Sequence, residues 1–134
     1  MQFIKKYEEF SKKQNAFIIR VERDFTVKPK TFPGGKYLNY YIRIFIDIDS
    51  SVFSQISGST SNIQNIINLG DIKKVIYHLH KSYHEPIRVA QNADNKFEIK
   101  VWSYGFYPIK ATLFLKYGHS IELHGEVKFP VDTK

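Results

Sequence analysis

From Tyr40 to Asp49 the chain alternates without a break. Tyr40, Ile42, Ile44, Ile46 and Ile48 fall on one side, and Tyr41, Arg43, Phe45 and Asp47 on the other. A period of two belongs to an extended strand whose successive side chains point to opposite faces, so this segment predicts a half-buried β-strand. Phe17, Ile19 and Val21 alternate in the same way with Ile18, Arg20 and Glu22, predicting an earlier strand that continues toward Val27. Further period-two runs cover Lys74 to His80, Phe97 to Trp102, Pro108 to Tyr117 and Ser120 to Phe129. Gly118-His119 is placed as a turn between the last two, and Pro86 to Val89 as a short edge piece.

The beginning of the chain has a different period. Phe3, Ile4, Tyr7 and Phe10 share one helical face while Lys5, Lys6, Glu8, Glu9 and Lys12 fill the other, which predicts a short amphipathic helix over residues 1–14. Pro29, Pro33, Gly34 and Gly35 mark a loop, because they fix or free the backbone where ladder bonds would otherwise form. Ser50 to Gly70 is rich in Ser, Asn and Gly and predicts a long mobile connection with at most a short helix at Ile63, Ile66 and Ile67. Short strands without alternating helices predict an all-β domain over residues 15–130, a two-sheet immunoglobulin-like sandwich of about seven to eight strands. Residues 131–134 read as an exposed tail.

Composition adjusts this picture at three points. A chain of 134 residues suits one domain with a proper core. The 9 Tyr and 11 Phe favour both pleated surfaces and sites built by stacking. The absence of Cys excludes disulfides, thiolate metal sites and Cys nucleophiles. Charges at Lys5, Lys6, Glu8 and Glu9 interrupt any apolar core of a secretory signal, and no stretch is apolar enough to span a membrane, so a cytoplasmic location is expected. The net charge of +7 favours acidic partners, although the lysines are spread along the chain and the charge serves solubility equally well.

The catalytic inventory is thin. His78 and His80, two apart on an expected strand, share a face as metal ligands can, and with His84 and Glu85 they give half of a cupin-like metal motif whose second half is missing. Ser82 lies between His80 and His84 without a Gly-x-Ser-x-Gly elbow, and neither Asp47 with Asp49 nor Glu122 with Glu126 is tied to a partner site. No phosphate-binding Gly-x4-Gly-Lys loop or other cofactor motif is present. Lys5, Lys6, Lys12, Lys13, Lys28, Lys30 and Lys36 crowd the first third, but the aromatics alternate as core residues do, so nucleic acid is expected to bind only non-specifically.

One segment is more specific than any of these. Val75 to Val89, VIYHLHKSYHEPIRV, resembles the signature of the YEATS domain family, V-x-Y-x-L-H-x-[ST]-F-x-x-P-x-R, with no gap. Ser103-Tyr104-Gly105-Phe106-Tyr107-Pro108-Ile109 is similar to its G-W-G-x-F-x-I segment, and Lys116 to Leu123 to its last hairpin. Tyr83 stands for the usual Phe, Ser103 for Gly and Tyr104 for Trp, while Asp94 to Phe97 replaces a Pro-Pro-Phe segment, which makes the chain more similar to the prokaryotic branch.

The resemblance implies an immunoglobulin-like sandwich that binds and does not catalyse, reading acylated lysine of acetyl or crotonyl type on a protein or peptide through an aromatic channel. It carries His80, Ser82, Tyr83, Ser103, Tyr104, Gly105 and Tyr107 onto that channel, with Tyr37 as an added wall. Tyr83 and Tyr104 are then expected to sandwich the amide, and Ser82 to donate to its carbonyl. The alternative is a structural or protein-interaction module whose channel is closed.

Overall fold

The computed structural model describes residues 16–49 and 68–132. The helix expected over residues 1–14, the helix expected at Ile63 to Ile67 and the last two residues of the tail lie outside the described residues. Seven strands follow in order: β1 (Phe17–Arg23), β2 (Tyr40–Ile48), β3 (Ile72–His78), β4 (Ile87–Ala90), β5 (Ile99–Ser103), β6 (Tyr107–Leu115) and β7 (Ser120–Val127). They form two antiparallel sheets, β1-β2-β5 and β4-β3-β6-β7, stacked as an immunoglobulin-like β-sandwich.

The alternation read from the sequence is the reason the sheets stack. Tyr40, Ile42, Ile44 and Ile46 on β2 are buried against Val75 and Tyr77 of β3, Ala111 and Leu113 of β6, and Ile121 and Val127 of β7. Full burial of each large apolar side chain contributes about 1.5–3 kcal/mol, so this inner layer supplies most of the driving force. On the outer face of β2, Phe45 is buried as well. The Arg43 guanidinium lies 3.9 Å above its ring and the Lys96 ammonium 5.6 Å away, both long side chains covering apolar surface with their stems.

Several boundaries differ from the sequence reading: β1 ends at Arg23 short of Val27, β3 runs from Ile72 to His78 and not from Lys74 to His80, and β6 and β7 each end two residues early. The strand expected to begin at Phe97 begins at Ile99, because Lys96 (φ 62°) and Phe97 (φ 58°) are both left-handed and cannot continue a ladder. Phe97 is instead a core anchor with no exposed surface, its N–H donating to Asn92 O (2.9 Å) and its carbonyl accepting the buried Tyr77 hydroxyl (2.6 Å). At the other end of the described residues, Val131 is half exposed and Asp132 is pinned. Its carboxylate pairs with Arg23 Nη1 at 2.8 Å and its N–H donates to the Tyr40 hydroxyl at 3.1 Å.

The registers His78↔Ile87, Tyr40↔Ser103, Arg23↔Ile42 and Tyr107↔Val127 bring three connections to one end of the sandwich. These are the β1–β2 loop, the β3–β4 loop and the β5–β6 loop. The site is built there.

Candidate functional site

β3 stops at His78, and Leu79 N donates to Pro86 O (2.8 Å) to close the β3–β4 loop. His80 therefore leaves the strand face on which it would have stood beside His78. The two imidazoles part: His78 Nε2 lies 3.5 Å from Thr112 Oγ1, and His80 Nδ1 lies 2.8 Å from Ser82 Oγ. The Ser82 N–H also donates to His80 Nδ1 (3.1 Å), so that nitrogen carries a lone pair and the ring proton sits on Nε2. The Ser82 hydroxyl consequently points its hydrogen at His80 and presents its oxygen lone pairs outward.

Tyr83 is held at its tip. Its hydroxyl donates to the Trp102 carbonyl (2.8 Å) and accepts from the Tyr107 hydroxyl (3.0 Å), linking the β3–β4 loop to β5 and β6. Tyr107 sits edge-on to both His80 and Tyr83, at 5.8 Å from each ring. Burial and the hydrogen bond with Tyr83 hold the Tyr107 hydroxyl well above the ordinary tyrosine range, with the Arg88 charge acting in the opposite sense. Arg88 is fixed by donation from Nε to Glu85 O (2.6 Å).

In the β5–β6 loop Ser103 is buried, and its hydroxyl donates to Gly105 O (2.7 Å), so that group serves the loop itself. Tyr104 is half exposed and stacks on Tyr37, with centroids 4.9 Å apart and planes within 13°. Together the three loops enclose a cavity of about 610 Å³. His80, Ser82, Tyr83, Ser103, Tyr104, Gly105 and Tyr107 all line it. Tyr37 does not; it backs Tyr104 from outside, and Phe32 is the aromatic that the β1–β2 loop contributes instead.

Sequence reasoning misses Phe32, Asn39, Val101 and Trp102, and leaves His84, Arg88 and Phe106, which lie within its motifs, unassigned to the wall. A signal existed for Trp102, which is the single Trp of the chain and directly precedes Ser103. For Phe32 there was none, since the choice between two aromatics of one loop depends on how the loop folds. It folds through the bridge between Lys30 and Asn39, whose backbone groups exchange hydrogen bonds of 3.0 and 2.7 Å.

The model of the prokaryotic YEATS domain matches residues 62–127, the stretch that carries β3 to β7. The chain carries a YEATS domain of the prokaryotic branch. Solved structures of the yeast protein Yaf9 share the sandwich of this YEATS domain. The Yaf9 YEATS domain recognizing an H3K122suc peptide is 16% identical, with 84% of this chain and 70% of that chain covered and a TM-score of 0.52. The Yaf9 YEATS domain bound to H3K27ac is 17% identical over 87% and 71% of the two chains, with a TM-score of 0.53. Yaf9 described as the yeast AF-9 homolog gives 17% identity, 86% and 66% coverage and a TM-score of 0.54. At these identities the likeness speaks to the fold. No curated protein matches this YEATS domain by sequence.

Proposed function

We propose that this YEATS domain is a non-catalytic binding module that reads acylated lysine, with the acyl-amide held in the cavity between the β3–β4 and β5–β6 loops. The observation that carries the reading is the convergence of Ser82, Tyr83, Tyr104 and Tyr107 on one cavity of about 610 Å³. Yaf9, which shares the fold, has been solved with H3K27ac.

The chemistry separates acylated from free lysine by charge. The described residues lining the cavity include Arg88 and no carboxylate, so an ammonium entering it would lose its hydration without gaining a counter-ion. Acylation removes that charge and leaves a planar amide suited to aromatic walls. The Ser82 oxygen, with its own hydrogen turned to His80, accepts the amide N–H. This reverses the donation to the carbonyl expected from the sequence, and leaves the backbone N–H of Tyr104 as the donor to that carbonyl. The alternative of a closed channel is disfavoured by the cavity of about 610 Å³ that these residues line.

The reading is tested by calorimetric titration with acetyl-lysine, crotonyl-lysine and unmodified peptides. Binding of an acylated peptide that is lost in Tyr104→Ala and weakened at least about tenfold in Ser82→Ala supports it, the latter being the loss of one hydrogen bond in a desolvated site. No binding at millimolar peptide, or binding indifferent to both substitutions, overturns it.

A further inference from the structure

The rim of the cavity carries net positive charge. The three segments that form it, residues 24–39, 80–88 and 103–107, carry five cations, Lys28, Lys30, Lys36, Lys81 and Arg88, against two carboxylates, Asp24 and Glu85. Asp24 is engaged within its own loop, its carboxylate accepting from the Thr26 N–H (2.9 Å) and the Thr26 hydroxyl (2.5 Å). The four lysines are exposed.

Three of these lysines, Lys30, Lys36 and Lys81, are attached to the cavity wall. The Lys30 ammonium rests 4.7 Å from the Phe32 ring and 4.6 Å from the Trp102 ring, both of which line the cavity. Lys36 precedes Tyr37, which stacks on the lining residue Tyr104, and Lys81 lies between the lining residues His80 and Ser82. Arg88 lines the cavity itself. A peptide that inserts a modified lysine must lay its flanking residues across this rim. Opposite charges there gain Coulomb energy and like charges are repelled, an effect that governs which partner is admitted more than how tightly the inserted group is held.

We infer that the natural partner presents its acylated lysine within an acidic segment, with Asp or Glu on either side of the modified residue facing Lys30, Lys36 and Lys81. This rests on the acyl-lysine reading above and adds to it the class of sequence in which the lysine stands. A segment rich in Lys or Arg is selected against by the same rim.

The test uses the full chain and synthetic peptides of one length in which the two residues on each side of the central lysine are Glu, Ser or Lys. Each is made with acetyl-lysine, with crotonyl-lysine and with unmodified lysine, and affinities are measured at low and high salt. The expected order for the acylated peptides is Glu over Ser over Lys, spanning roughly three- to tenfold at low salt, as two or three exposed ion pairs would give. The span should shrink at about 0.5 M salt, where screening shortens the reach of exposed charges, and in a Lys36→Gln, Lys81→Gln double variant.

Equal affinity in the three contexts, or preference for the Lys-flanked peptide, overturns this inference and leaves acyl-lysine reading intact. A preference for Glu that persists undiminished in high salt and in the double variant overturns it as well, because the preference would not be electrostatic. If the unmodified Glu-flanked peptide binds as tightly as its acylated forms, the acidic preference stands and the acyl-lysine reading falls. If no peptide binds, both fall.

Discussion

The Tyr107 hydroxyl donates to the hydroxyl oxygen of Tyr83 across 3.0 Å, and Tyr83 in turn donates to the Trp102 carbonyl. This relay exists only because position 83 is Tyr where the family signature has Phe, and it ties a loop to two strands of different sheets. Tyr83→Phe therefore strands two partly buried polar groups while keeping the aromatic face. The expected cost is about 1–2 kcal/mol of stability, read as a lower urea midpoint at unchanged slope. Acyl-peptide affinity should change far less than in Tyr83→Ala. An unchanged midpoint would show that the relay contributes nothing.

Tyr37 contributes to the site from behind. It does not touch the cavity, yet its ring covers one face of Tyr104 at 4.9 Å. A stacked pair of this kind contributes about 0.5–1.5 kcal/mol beyond its buried area, so Tyr37→Ala should weaken acyl-peptide binding by roughly two- to tenfold. The loss should be smaller than in Tyr104→Ala, and Tyr37→Phe should restore it, since stacking and not the hydroxyl is at issue. Titration of the three variants decides this. An effect of Tyr37→Ala equal to that of Tyr104→Ala would mean that Tyr37 touches the ligand.

What the sequence disclosed and what it withheld have a common cause. Period-two alternation disclosed β2 and β7 because one face of each strand is buried, and burial leaves its mark on every second residue. The start of β5 was hidden because Phe97 is apolar and in phase with the strand, while the left-handed backbone at Lys96 and Phe97 has no sequence mark without a Gly. The β3–β4 loop of the site was legible because its residues are consecutive and their spacing is set by a tight turn, with Tyr83 N donating to His80 O. Phe32 and Trp102 reach the cavity from segments remote in sequence, through a loop bridge and a sheet register, and no local pattern carries that information. The direction of the Ser82 hydroxyl was likewise invisible, since it follows from which proton the neighbouring imidazole keeps.

The end of the described chain is fastened by charge. Arg23 lies between the rings of Phe25 and Tyr40, each 4.6 Å from its guanidinium carbon, and its side chain is only 6% exposed. Asp132 supplies the counter-charge, and the hydrogen bond from Arg23 holds its carboxyl below the usual range. A carboxyl lowered in the folded state stabilises the fold above the unfolded value of about 4, and that contribution is lost as the pH falls through the lower folded value. Asp132→Asn should thus mimic acid at neutral pH. Faster amide exchange at residues 128–132 and a reduced sensitivity of stability to pH below about 4 are the expected outcomes. Exchange identical to that of the unaltered chain would show that the Pro130 carbonyl, 3.2 Å from Arg23 Nη1, and the backbone N–H of residue 132 on the Tyr40 hydroxyl hold the segment without the carboxylate.

A second titration lies at the opposite end of the pH scale. Tyr77 is fully buried and donates at 2.6 Å to the carbonyl of Phe97, a non-Gly residue in left-handed backbone. Burial holds its hydroxyl far above the ordinary value, and Tyr107 is raised in the same way. A raised folded value means that the unfolded chain releases its proton first, so stability is level below about pH 10 and falls as the pH rises beyond it. Tyr77→Phe removes one of these two groups. Stability at neutral pH should drop by about 1–3 kcal/mol, since the Phe97 carbonyl is left buried without its donor. The alkaline decline should become shallower, because one fewer proton separates the two states. Urea unfolding at several pH values between about 8 and 11 measures both effects in one series. A neutral-pH loss with an undiminished alkaline slope would assign that decline to groups other than Tyr77.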